Sequence, residues 1–375
     1  MIYFHIPFCK HACHYCDFHF STSLKYKDAL LQALEKEVTL RAHYLTDKII
    51  PSIYFGGGTP SLLTADEIER LINQVATHFD IANDVEITLE ANPDDLDKAK
   101  VQALRRTPIN RFSIGIQSFY EEDLRWMNRA HNATEAEASI KRVQDAGFEN
   151  ITADLIYGYP LLTHTKWTNN IQKLLLFEIP HISSYAMTVE QKTALAHFIR
   201  QGKTPPMQEA QSAEQMSMLI DTLTKNGFEH YEISNFAKNG QYAKHNTAYW
   251  QGRHYLGIGP SAHSFNGKSR SWNVANNARY TEGINLEKPV YETENLSRED
   301  QFNEYVMTSL RTMWGIDLEK VIHDFSNEMA QQLQTQIAPF IEQQHVERVQ
   351  GRFFKLTAKG KLMADYIASE LFIIP

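Results

Sequence analysis

The chain has 375 residues, enough for one large domain and a smaller one. With 43% hydrophobic residues, 22% charged residues and a formal net charge of -8, it has an ordinary globular composition and gives no electrostatic case for nucleic acid as a main partner. No apolar run approaches the roughly 18 residues that span a membrane, and no basic segment leads into an apolar run at the N-terminus, so neither an intrinsic membrane anchor nor a signal peptide is expected. In chain order, IYFHI (2–6) reads as a first strand, and 25–44 carries apolar residues at helical spacing. SIYF forms a second strand that ends at Phe55, before GGGTP. Thr64 to Glu67 is a capping box that opens a helix to about Phe79. VEITLE (85–90), a helix around 96–106 and RFSIGI (111–116) follow. Thr134 with Glu137 is expected to cap the next helix, which ends near Gly147. ITADLI (151–156), a helix over roughly 165–177 and HISSYAM (181–187) complete the series.

Strands alternating with helices imply parallel βαβ units with right-handed crossovers. The expected fold class is α/β, a partial (β/α)6 barrel, with an open doubly wound sheet as the alternative. Residues 208–290 are less regular: a helix near 208–226 leads to YEISNFA, HNTAYW and GIGPSAHSF. From about 297 the alternation stops. Two helical runs and RFFKLTAKGKLMADYIASELF read as a small winged-helix-like α+β domain. The expected division is a barrel core over 1–200, an extension over 201–295 and a C-terminal domain over 296–375.

Cys9, Cys13 and Cys16 are the only cysteines, spaced C-x3-C-x2-C, which suits a reducing compartment and hence the cytoplasm. Three buried apolar thiols are one reading. A zinc site completed by His5, His11, His14 or His19 is another. Thiolates also hold iron–sulfur clusters, and three of them on a four-iron cluster leave one iron open for a ligand. Polar or glycine-rich residues recur where the strands end, the functional rim of such barrels. They are Gly56-Gly57-Gly58-Thr59-Pro60, Glu90, Gln117, Asp154 and Tyr185-Ala186, with Arg129 downstream. A glycine run lets backbone approach a ligand, a carboxylate suits ribose hydroxyls or an ammonium, and a guanidinium meets a carboxylate with its planar fork.

With Tyr15 as the aromatic, C-x3-C-x-aromatic-C resembles the radical S-adenosylmethionine (SAM) signature. HIPFC, GGGTP, EANP, GIQSF, DLIYGYP, SNFA, HNTAYW and GIGPSAHSF resemble the oxygen-independent coproporphyrinogen III oxidase family across nearly the whole chain. The resemblance implies a 4Fe-4S cluster on Cys9, Cys13 and Cys16. It also implies a SAM pocket of Tyr3, Tyr15, Phe18, Gly57, Gly58, Thr59, Glu90, Gln117, Arg129, Asp154, Ala186 and Ile258.

That family contains a decarboxylating oxidase and a class of heme chaperones. The oxidase signature carries a further cysteine where this chain has Phe18, and an extension precedes its motif; this chain starts just before its first strand. CDF and H-N-x-x-Y-W are typical of the chaperones, and the latter is His245-Asn246-Thr247-Ala248-Tyr249-Trp250 here. An imidazole ligates heme iron and aromatics stack on a macrocycle, so His245 is the heme-ligand candidate and His263 a second one. With no C-x-x-C-H, thioether attachment of heme is not expected. Lys355, Lys359 and Lys361 read as a solvated or partner-docking face. The resemblance implies a chaperone with heme, a 4Fe-4S cluster and exchangeable SAM, passing heme to acceptor proteins such as membrane respiratory enzymes. The alternatives are a radical SAM coproporphyrinogen III dehydrogenase and a binding module whose cluster is only structural.

Overall fold

The computed structural model describes residues 1–374. Six parallel strands lie side by side in chain order: β1 (Ile2–Ile6), β2 (Ile49–Gly57), β3 (Asp80–Ala91), β4 (Arg111–Gln117), β5 (Asn150–Tyr157) and β6 (His181–Ala186). The order never reverses, so the sheet is a partial (β/α)6 barrel rather than a doubly wound one. Helices α1 (Lys27–Arg41), α2 (Ala65–Ala76), α3 (Lys98–Leu104), α4 (Glu121–Trp126), α5 (Ala133–Asp145) and α6 (His164–Leu176) fill the crossovers. The Thr64 hydroxyl accepts from the Glu67 amide and the Glu67 carboxylate accepts from the Thr64 amide, which closes the expected capping box of α2. The cap of α5 lies earlier than expected. Asn132 accepts from the Glu135 amide, because its extended backbone (ψ 173°) turns the side chain back over the first turn; Thr134 is already inside the helix.

After β6, α7 (Ala194–Arg200) and α8 (Glu209–Lys225) lead to β7 (Glu229–Glu232) and β8 (Asn235–Ala237), and β8 joins β6 antiparallel. The segment HNTAYW falls in α9 (Lys244–Trp250). This helix has no side-chain cap of its own; buried Glu86 of β3 accepts from the amides of Lys244 and His245 instead. Strand β9 (Leu256–Ile258) then pairs parallel with β1 at the opposite edge, so one sheet has nine strands. Strands β10 (His263–Phe265), β11 (Ser269–Asn273) and β12 (Tyr291–Asn295) form a small antiparallel sheet, with α10 (Asn277–Asn285) between the last two.

The C-terminal part runs α11 (Arg298–Leu310), β13 (Ile316–Asp317), α12 (Leu318–Asp324), α13 (Asn327–Glu342), β14 (Val346–Val349), β15 (Phe353–Leu356), α14 (Ala358–Lys361) and α15 (Ala364–Glu370). Three helices before a β14–β15 hairpin, with β13 pairing on β15, make a winged-helix-like arrangement. It buries a separate apolar cluster around Phe302, Leu333 and Phe354.

One buried network ties the extension to the barrel. Glu37 of α1 has no exposed surface and accepts from the Gly259 amide (2.8 Å), the Tyr280 hydroxyl (2.5 Å), the Asn273 amide (2.8 Å) and Arg41 (3.3 Å). Arg41 in turn donates to the hydroxyls of Ser264 and Ser271. The carboxylate and guanidinium satisfy each other and are hydrogen-bonded to the groups around them, which a buried ion pair requires.

Candidate SAM and cluster site

The C-terminal ends of the six strands open into one cavity of about 630 Å³. Cys9, Cys13 and Cys16 all face it, on the loop that leaves β1. That loop is pinned from two sides. The His14 amide donates to the Met127 carbonyl, the His14 ring bonds to the Trp126 carbonyl, and the His14 carbonyl accepts from Leu195. The thiols are free, and burial pushes those of Cys9 and Cys16 upward, Cys16 to about 11. The Thr59 hydroxyl donates to Cys9 Sγ at 3.5 Å and accepts from Asn92 at 3.3 Å.

The glycines at the end of β2 and just after it are dictated by close approach. A Cβ on Gly58 would lie 2.6 Å from the Phe8 carbonyl. Gly57 has φ +107°, and a Cβ there would meet the His5 ring at 2.6 Å. The Gly57 amide donates to Glu90 (3.3 Å) and the Gly58 amide to the Ile6 carbonyl (2.9 Å). Glu90 also accepts from the Tyr54 hydroxyl at 2.7 Å. Desolvation pushes its carboxyl up to about 7, and the carboxylate of Asp154 adds to the rise. Asp154 accepts from Ser113 and is itself raised by burial to about 6.

Arg129 reaches across β4. Its Nη2 donates to Asn92 (2.6 Å) and to the Gly115 carbonyl (3.0 Å), and its Nη1 lies 3.5 Å from both Cys13 Sγ and the Tyr15 hydroxyl. Its Nε is buried with no hydrogen-bond partner. Gln117, at the end of β4, holds a left-handed backbone (φ 62°), a conformation that costs a non-glycine residue energy and marks functional sites. Together these groups offer a guanidinium beside the thiols, backbone close to the cavity and two carboxyls held in reserve. That donor set fits a thiolate-bound cluster whose remaining iron takes an amino-acid-like ligand.

The structure therefore brings Tyr15, Phe18, Gly57, Gly58, Thr59, Glu90, Gln117, Arg129, Asp154 and Ala186 to the same cavity as the cysteines. Two others lie elsewhere. Ile258 has no exposed surface, because β9 is sandwiched between β1 and α1, so its side chain belongs to the core. Tyr3 lines a second cavity, of about 700 Å³, that has Asp17 and Phe18 in common with the first, although its ring also lies beside Gly56 and Glu90. His245 is fully buried, with Ser52 Oγ at 2.8 Å from Nδ1 and the Tyr249 hydroxyl at 2.9 Å from Nε2, so both ring nitrogens are occupied. His263 is exposed and lines the second cavity. Asn92, Gly115 and Tyr54 line the first cavity without having been singled out from the sequence. Tyr54 was legible as the inward residue of SIYF beside Glu90.

Residues 3–173 match the Radical SAM superfamily, and residues 296–363 match the HemN C-terminal domain. A protein named heme chaperone HemW from Lactococcus lactis is 35% identical, over 96% of this chain and 93% of its own length. The chain belongs to the HemW family. HemW proteins of Bacillus subtilis (31% identical, 97% of both chains) and Mycobacterium tuberculosis (32%, 99% of this chain and 94% of the relative) are similar over the same extent. The fold is that of coproporphyrinogen III oxidase (HemN) from Escherichia coli, a radical SAM enzyme: TM-score 0.85 at 24% identity, covering 99% of this chain and 89% of that one. Membership of the radical SAM superfamily implies a 4Fe-4S cluster and SAM. No helix among the described residues is long and apolar enough to cross a membrane.

Proposed function

We propose that this protein is a heme chaperone, which binds heme, holds a 4Fe-4S cluster on Cys9, Cys13 and Cys16, exchanges SAM at the remaining iron and passes heme to acceptor proteins. The observation that carries the cofactor part is the convergence of all three thiols, the guanidinium of Arg129 and the carboxyls of Glu90 and Asp154 on one cavity. Full-length relatives named as heme chaperones support the rest. The bound cluster supplies an open coordination site and an electron. The chain's own residues do the positioning. Arg129 meets a carboxylate, Glu90 accepts from hydroxyls or an ammonium, and Gly57, Gly58 and Thr59 bring backbone to the ligand.

Phe18 occupies the rim of the cavity with 71% of its surface exposed, where the oxidase class carries a further cysteine. The acceptors proposed are respiratory proteins at a membrane, reached through a partner, in the cytoplasm. The test is anaerobic: the cluster is reconstituted, SAM is added, and heme and coproporphyrinogen III are offered in parallel. Stoichiometric heme uptake, followed by transfer to an apo-cytochrome, supports the chaperone. Protoporphyrinogen accompanied by 5′-deoxyadenosine would make it a dehydrogenase instead.

A further inference from the structure

The second cavity lies between the barrel edge and the C-terminal domain. The β1 end, α9 and the β9–β10 turn form one wall, and α11 and α12 form the other. At about 700 Å³ it is within the roughly 300–1,000 Å³ typical of small-molecule sites. Its lining is aromatic: Tyr3, Tyr249, Tyr255, Phe265, Tyr305 and Phe325 all face it. Such walls stack on flat π-systems. Two cations also line it, and one of them, Lys320, is paired with Asp324. Arg270 pairs with Glu304 at 2.9 Å, while its Nε is buried with no hydrogen-bond partner.

Three histidines also line this cavity, and their ring nitrogens differ in availability. His5 uses both, toward the Tyr3 hydroxyl (3.3 Å) and the His19 carbonyl (2.9 Å). His19 Nε2 is bonded to Asn277 at 2.7 Å. Among the described residues, no hydrogen bond engages the ring of His263, which stands on β10 with the Trp272 ring 6.3 Å away. With neither ring nitrogen engaged, the His263 imidazole stands exposed to the cavity and available to a metal.

We infer that this cavity binds a flat aromatic macrocycle carrying carboxylates, which is heme on the chaperone reading above, with His263 meeting the iron and Arg270 meeting a propionate. The cavity is separate from the one holding the thiols, and Asp17 and Phe18 line both. Heme seated there lies beside the cluster site without competing with SAM. On this assignment HNTAYW acts through the faces of Tyr249 and Trp250.

The test is a heme titration of the cluster-loaded protein with SAM present, read by the Soret band and resonance Raman. In His263→Ala the histidine–iron signature disappears and returns on adding imidazole, and affinity falls at least about tenfold. Arg270→Gln weakens heme about tenfold yet binds heme dimethyl ester as well as the parent does, because the esters carry no carboxylate. Unchanged cluster absorbance and SAM affinity in both variants show that they are folded. If the parent takes up heme and both variants match it in spectrum and affinity, the site assignment is overturned and the chaperone reading stands. If the parent takes up no heme, both are overturned.

Discussion

The Tyr249 hydroxyl and Nε2 of His245 are joined at 2.9 Å, with the two rings edge to face at 89°. Ser52 holds the other ring nitrogen at 2.8 Å, and the Tyr54 ring lies 5.1 Å away. Tyr54 donates to Glu90 in the first cavity, and Tyr249 faces the second. His245 thus stands behind both walls and fixes an aromatic residue in each. Burial pushes its imidazole down to about 3, so it is neutral at physiological pH and serves as donor on one nitrogen and acceptor on the other.

Replacing His245 therefore has a structural signature. His245→Ala leaves a void and two hydroxyls, those of Ser52 and Tyr249, without their partner. The expected loss is about 2–4 kcal/mol, read as a lowered melting temperature. Heme binding weakens because Tyr249 loses its orientation, but the ligand signature of any heme still bound stays that of the parent. A variant of parental stability that loses only the axial-ligand signal would make His245 the ligand after all.

Glu90 sets a pH dependence. Its folded carboxyl titrates near 7 against an ordinary value of 4.5, so between these values the folded chain holds a proton that the unfolded chain releases. Its contribution to stability is therefore lost as pH rises through that window. The facing groups, Tyr3, Tyr54, Tyr185, Tyr249 and Asp154, include no cation to offset the charge. Glu90→Gln without ligand is expected to melt higher than the parent at pH 8 but not at pH 4.5. The gain is at most about 3 kcal/mol, reduced by water that enters the open cavity. SAM affinity should run the other way, rising in the parent from pH 6 to 8 as the carboxylate forms and staying flat in the variant. A parental slope in Glu90→Gln would move the titration to another group.

Gly115 decides where Arg129 lies. A Cβ there would stand 3.1 Å from Arg129 Nη2 and 2.9 Å from Gln117 Nε2. Gln117 can swing aside; Arg129 is held by Asn92 and by the Gly115 carbonyl. Gly115→Ala should fold normally and weaken SAM several-fold. Arg129→Lys, which loses the planar fork, should weaken it about tenfold or more. Equilibrium dialysis of labelled SAM against cluster-loaded protein measures both, and unchanged binding in Arg129→Lys would remove Arg129 from the site.

The barrel was readable because each unit repeats the same alternation, and the cysteine loop because its spacing has few other uses. Glu90, Gln117 and Asp154 were found by one rule, that polar groups at strand ends face the site. Ile258 and His245 obey different physics. Ile258 sits on a strand whose neighbours come from residues 2–6, a pairing that no local pattern announces. His245 is sealed by Ser52, 193 positions away in sequence, and a histidine's partners decide whether it can take a ligand. The short helices α4 and α12, six and seven residues long, are too brief to show a periodicity. Gly115 escaped notice because its constraint is a side chain arriving from another element.

Glu37 supplies the last test, because all four of its partners are donors: the Gly259 amide, the Tyr280 hydroxyl, the Asn273 amide and the Arg41 guanidinium. Glutamine is the same shape, but its NH2 must face at least one of those donors and leaves Arg41 buried without a countercharge. Glu37→Gln should therefore cost nearly as much as Glu37→Ala, about 3–5 kcal/mol. Tyr280→Phe removes one bond while the carboxylate keeps three partners, and should cost about 1–2 kcal/mol. The network also holds Ser264, on the strand that carries His263, so heme affinity should fall with stability in the Glu37 variants while cluster absorbance persists. Chemical denaturation gives the first quantity and heme titration the second. A Glu37→Gln protein within 1 kcal/mol of the parent would mean that water reaches this pair and that the extension is anchored elsewhere.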